Sequence, residues 1–197
     1  LPERLSQTGL FQPGNPDEVS AELEAFTPQF ELWSDGASKR RWLRLPPGAS
    51  VDRSDPDNWQ FPVGAQLWKE FSVDGVRVET RTLRKVGPAS EDWVAQAYVW
   101  LADGSDAVAT PQGATNALGT RHDVPAAGEC LACHGGRKSF VLGYSAVQLG
   151  YATLPGNDVD RRALGYLHAN CGHCHNQDRP AAASSRCYAQ QKELDFW

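Results

Sequence analysis

Cys130-Leu131-Ala132-Cys133-His134 and Cys171-Gly172-His173-Cys174-His175 repeat the spacing C-x-x-C-H within a chain of 197 residues. Two thiols at this spacing can each add to one vinyl group of a porphyrin, and a histidine directly after the second thiol then falls on an axial face of the iron. The pattern predicts two covalently bound c-type haems, attached through Cys130, Cys133, Cys171 and Cys174, with His134 and His175 as proximal ligands. Paired cysteines also serve two other chemistries. Two C-x-x-C pairs can hold tetrahedral zinc, but residues 134 to 170 make a longer spacer than zinc ribbons use, and zinc gives no reason for a histidine after both pairs. Two separate disulfides are the other alternative; thioether attachment instead consumes four thiols that an oxidising compartment would otherwise cross-link.

The sixth position of each iron is the open question. Methionine is absent from these 197 residues, so the high-potential His/Met pair cannot form within them. His122, His168 and His173 are the remaining imidazoles. His168 lies three residues before Cys171, near the second porphyrin if the segment is helical, yet it need not reach that iron; it is a candidate ligand for the first haem instead, with a surface or propionate-bonding histidine as the alternative. His122, upstream of Cys130, is a second candidate; an ordinary loop histidine is the alternative. His173 is enclosed in its own attachment loop and suits a ligand role mainly towards another chain.

These groups need elements to carry them, and the chain divides into two zones. Residues 26–112 read as short extended segments rich in aromatic and β-branched residues, separated by turns. Candidate strands are Phe30–Trp33 before Ser34-Asp35-Gly36, Arg41–Leu45 before Pro46-Pro47-Gly48, Phe71–Val73 and Val76–Leu83 around Asp74-Gly75, and Trp93–Leu101 before Ala102-Asp103-Gly104. This spacing predicts a β-sandwich or barrel, preceded by residues 1–25 as an N-terminal extension. Residues 113–197 form the second zone, a small, mainly α or irregular dihaem region. In it a helix is expected from Val159 to Cys174, capped by Asp158 or Asp160, with a short helix or turn over Ser139–Leu149.

Further residues invite functional readings. Lys39, Arg40, Arg41 and Arg44 are the densest basic cluster; they suit haem propionates or an acidic partner, or simply a solvated strand edge. The seven tryptophans at strand spacing read as core. Glu91-Asp92 lies in a turn without acid/base geometry, and no nucleophile motif or phosphate loop is present.

Leu32-Trp33-Ser34-Asp35-Gly36-Ala37, Arg41-Trp42, Phe61-Pro62-Val63-Gly64, Lys69-Glu70-Phe71, Glu79-Thr80-Arg81, Tyr98-Val99-Trp100 and Gly165-Tyr166-Leu167-His168-Ala169-Asn170 running into Cys171-Gly172-His173-Cys174-His175-Asn176 together resemble a family of exported bacterial dihaem c-type cytochromes. The similarity spans about Thr8 to Asn176. It implies an N-terminal β domain fused to two haem segments, and little about function beyond electron transfer. Members of that family continue past the second haem into a methionine-bearing segment, so the resemblance implies a shortened C-terminus here. Cys187, in the unmatched tail, is the odd cysteine: a free thiol or an intermolecular bridge.

A formal charge of −5, made more negative by haem propionates, argues against a nucleic-acid partner. No apolar stretch approaches the roughly 20 residues that span a bilayer, and no basic, apolar leader opens the sequence at Leu1. Covalent haem attachment happens outside the bacterial cytoplasm, so the expectation is a mature periplasmic or extracellular chain whose export signal has been removed. Electron transfer between redox partner proteins through two low-potential bis-histidine haems is the leading reading. A peroxidase-like dihaem oxidoreductase with one open-coordinate iron is a second. A self-associating, polymeric haem conductor, with ligands supplied between chains, is a third.

Overall fold

The structure is a computed structural model that describes residues 1–177, and Cys187 lies outside the described residues. A short hairpin, β1 (Phe11–Gln12) and β2 (Asn15–Val19), precedes a sheet of β3 (Glu24–Ala25), β4 (Ser38–Arg44), β5 (Gln66–Val73), β6 (Val76–Lys85), β7 (Trp93–Trp100) and β8 (Ala107–Ala109). The six strands pair in sequence order, each antiparallel to the next. The tight turn between β5 and β6 falls at Asp74-Gly75, where both residues have positive φ (50° and 82°), as a two-residue hairpin of type I′ requires. The ladder runs from β3 to β8 without closing, so the sheet is an open meander rather than a barrel.

Side-chain alternation gives this sheet two different faces. On one, Trp42, Trp68, Tyr98 and Trp100 pack with Leu5, Leu10 and Phe11 from the chain's start. Residues 1–25 are therefore part of the β unit and not a free extension: Leu5 and Leu10 are fully buried, and Tyr98 Oη donates to the Pro2 carbonyl at 2.9 Å. On the other face Leu43 and Leu67 pack with Trp59, Phe61 and Trp93, and the same cluster takes in Phe140, Val141, Tyr144 and Ala146. The cysteine-bearing region thus shares a hydrophobic core with the sheet. Arg137 reinforces the joint by donating to the Asp57 carbonyl (3.1 Å), as does Ser139 Oγ to that of Trp59 (3.3 Å).

Phe30–Trp33 does not form the expected strand. Its backbone N–H groups are taken by side chains of the second zone: Phe30 N–H donates to Gln148 Oε1 (3.1 Å) and Trp33 N–H to Asn170 Oδ1 (2.8 Å). The stretch is a strap that ties the β unit to α2 (Asp158–Asn170), the longer of the two α-helices among the described residues; the shorter is α1 (Ala127–His134). Asn157 caps α2, accepting from the N–H groups of Val159 and Asp160, while Asp160 Oδ2 accepts in return from the Asn157 N–H. The cap is thus one residue upstream of Asp158 and three upstream of Asp160, the two aspartates expected, and the reciprocal bond is a capping box. The helix ends at Asn170, before Cys171; Ser139–Leu149 consists of turns.

Gly165 is where α2 meets the strap, since a Cβ there would overlap the Phe30 ring. Gly165→Ala should lower the unfolding free energy by about 1–3 kcal/mol through overpacking, measured by urea denaturation. An unchanged midpoint would show that α2 does not rest on Phe30.

Candidate functional site

A cavity of ≈ 670 Å³ opens between the sheet, α1, the strap and the end of α2. Its size lies within the roughly 300–1,000 Å³ typical of cofactor sites. Cys130, Cys133 and His134 line it from α1, and His168, Ala169 and His173 from α2 and the loop beyond. Phe26, Pro28, Phe30 and Leu32 form one wall, while Leu67 and Leu83 form the apolar part of the floor. Among the described residues no three Cys, His, Asp or Glu side chains form a group that could hold a metal ion.

The first motif has the chemistry that haem needs. His134 Nδ1 lies 2.8 Å from the Phe140 carbonyl, and since a carbonyl oxygen only accepts, Nδ1 carries the proton. Nε2 is then the basic nitrogen, the tautomer that an axial ligand requires, held by the backbone contact that commonly orients metal-binding imidazoles. Burial pushes the His134 pKa down to about 4, opposed by that hydrogen bond and assisted by Lys69 and Arg81, so the ring is neutral near pH 7. His168 is likewise pushed down to about 4 by burial, with Arg137 adding to it. His168 is only 4% exposed. Two neutral imidazoles from distant parts of the sequence thus line one cavity beside one thiol pair.

The second motif is built differently. Cys171, Cys174 and His175 form a single turn after α2, with His175 N–H donating to the Cys171 carbonyl at 2.8 Å. The motif's middle histidine, His173, lines the first cavity. Its Nδ1 is buried without a hydrogen-bond partner, and burial, together with His175, lowers its pKa.

His122, a candidate ligand by sequence, stands elsewhere. Its Nε2 is 2.6 Å from Glu79 Oε2, and its ring packs on Phe71 with centroids 5.1 Å apart. His122 is 3% exposed and Glu79 fully buried, so this imidazole is committed to a carboxylate and is absent from the cavity wall. Glu79 also receives a two-point contact from Arg81, Nε to Oε1 at 2.6 Å and Nη2 to Oε2 at 2.9 Å. Burial raises the Glu79 pKa, but the bonds from His122 and Arg81 outweigh it and leave it below its ordinary value.

Alternation splits the basic cluster seen in the sequence. Arg40 and Arg44 lie on the tryptophan face, Arg40 paired with Glu70 at 2.7 Å and Arg44 over the Trp68 ring. Arg41 points to the opposite face and lines the cavity with Lys69 and Arg81. Motif reading missed Lys69, Glu79 and Arg81. The available signal was a charged residue at an inward position, as in Leu67-Lys69-Phe71 and Glu79-Arg81-Leu83, and it becomes legible only once the register is known.

No protein-family model, curated protein or solved structure matches the chain, so its functional reading rests on these residues.

Because the folded-state pKa of Glu79 is depressed, its stabilisation is present above the ordinary value of 4.5 and is lost as the pH falls through the depressed one. Glu79→Gln should therefore be less stable than wild type at neutral pH, by about 3 kcal/mol, with the gap closing below pH 4.5 in urea titrations. A gap independent of pH would mean that Glu79 is not ionised in the folded protein.

Proposed function

We propose that the protein is a dihaem c-type cytochrome that carries electrons, with its first haem in the cavity bounded by α1, α2 and the sheet. The observation that carries this reading is the shared cavity: the thiols of Cys130 and Cys133, the fixed tautomer of His134 and the buried imidazole of His168 line one space large enough for a cofactor. Bound haem would supply reversible one-electron chemistry at iron. Cys130 and Cys133 would anchor it, and His134 would present Nε2 as the proximal ligand. His168 is the distal candidate, and with methionine absent the pair would give a low potential. Gly165 and Asn170, which dock α2 on the strap, fix where His168 stands.

Cys171, Cys174 and His175 would hold the second haem. With His122 committed to Glu79 and His168 facing the first cavity, these 197 residues retain no histidine or methionine for its sixth position other than His173, inside its own loop. That observation favours a second reading, in which the second iron is open and the protein is a peroxidase-like oxidoreductase, or takes a ligand from a neighbouring chain. Covalent haem attachment also supports a periplasmic or extracellular site of maturation. No helix among the described residues is long and apolar enough to cross a membrane.

Expression with a haem-maturation system should give an intact mass carrying two haems, falling to one in Cys130→Ser/Cys133→Ser. His168→Ala should convert one haem from low to high spin by electron resonance while both stay attached. A wild-type chain without covalent haem would overturn the assignment, and an unchanged spin state in His168→Ala would remove His168 as a ligand.

A further inference from the structure

The pairing register places Arg41 opposite Lys69, and Lys69 opposite Arg81, so three cations form a row across β4, β5 and β6 on the cavity face. All three line the cavity. Like charges directly opposite one another destabilise a sheet, and partial burial sharpens the repulsion. The outer two have partners: Arg41 Nη1 meets Glu31 Oε1 at 3.0 Å and Arg81 holds Glu79. Lys69, in the middle, has no hydrogen-bonding or ion-pairing partner among the described residues and lies over the Phe71 ring. Lys39 adds a fourth positive charge close to Lys69 while sharing Glu31 with Arg41. Burial, then Arg41, Arg81 and Lys39, press the Lys69 pKa well below its usual value. Two other carboxylates on the cavity wall are engaged locally: Asp123 accepts from the Asn116 N–H and Glu129 from that of Ala126, each at 2.8 Å.

Glu31 is thus shared by Lys39 and Arg41, Glu79 is held by Arg81, and Lys69 has no carboxylate within ion-pairing distance among the described residues. The adjoining row of the same face is apolar, with Leu43 opposite Leu67 and Leu67 opposite Leu83. A floor that is apolar in one row and cationic in the next suits an apolar disc with two carboxylates on one edge. We propose that the Arg41–Lys69–Arg81 row is a carboxylate seat that receives the propionates of the first haem, with Lys69 as the residue that completes it. The row makes no bond to the thioether cysteines and leaves the iron to its histidines. It neutralises the acid edge of the porphyrin and turns a row of like charges into a paired network. This inference rests on the assignment of a haem to the cavity.

The test uses holoprotein matured with both haems, comparing wild type with Lys69→Gln and Lys69→Arg. A cation near iron favours the added electron, so Lys69→Gln should lower the midpoint potential of one haem and leave the other unchanged. The propionate-bending band in resonance Raman spectra should shift in the same variant, and Lys69→Arg should restore both. Wild-type potential and band in Lys69→Gln would overturn the seat. So would a spectral response to added phosphate or nitrite in wild type, lost in Lys69→Gln with its propionate band unmoved, because the row would then serve a free anion. A spin-state change in both variants would also overturn it by making Lys69 a ligand of iron. Counting haems by intact mass separates these outcomes from failure of the haem assignment, which would appear as no covalent haem in wild type.

Discussion

In the register that pairs Arg41 with Lys69 and Lys69 with Arg81, Arg41, Leu67, Lys69, Arg81 and Leu83 line the cavity, while Trp42 and Trp68 pack on the N-terminal segment. A slip of one residue would exchange the two sets. Trp42 and Trp68 would then floor the cavity, and Leu43, Leu67 and the cation row would meet the start of the chain. Each face is matched to what covers it, so every other feature of the cavity depends on this register. Leu5, Leu10 and Phe11 fit the tryptophan side, where Trp68 Nε1 also donates to Thr8 Oγ1 at 3.0 Å. Phe140, Val141 and Tyr144 fit the leucine side.

The second zone is held by that same leucine face and by the strap. Gln148 and Asn170 accept from the strap's backbone N–H groups, and Gly165 lets the Phe30 ring reach the helix backbone. His168 lies one turn beyond Gly165 and its position follows from that close approach. With the second motif one turn further on, His173 reaches the wall of the first cavity. In the proposed carrier this places the two haem attachment sites side by side, as transfer between them requires. The ligand inventory makes the sites unequal: the first has imidazoles from both motif and helix, while the second has its own His175 and a neighbouring His173.

Much of this was legible in the sequence because it is local. The C-x-x-C-H spacing, the Asp74-Gly75 turn and the helical stretch before Cys171 are each set by residues within a few positions of one another. The sequence is harder to read where long-range contacts decide. Phe30–Trp33 looks like a strand by composition, yet its N–H groups bond to Gln148 and Asn170, more than a hundred residues away. Residues 1–25 look like an extension because nothing local announces that Leu5 and Leu10 will be fully buried. His122 looks like a ligand until β6 brings Glu79 to it. The basic cluster at Lys39 to Arg44 was visible, but only alternation shows which of its members turn to the cavity. Lys69 and Arg81 lie within the tripeptides Lys69-Glu70-Phe71 and Glu79-Thr80-Arg81, and nothing in a tripeptide says that they stand opposite one another.

In the proposed carrier one cavity, floored by this sheet, holds the first haem between His134 and His168. A crystal structure of the haem-loaded protein measures this directly. The expected result is a porphyrin bonded to Cys130 and Cys133, with the Nε2 atoms of His134 and His168 on its iron. A porphyrin lying outside the space between β4–β6 and α2, or an iron with His168 turned away from it, would contradict the account.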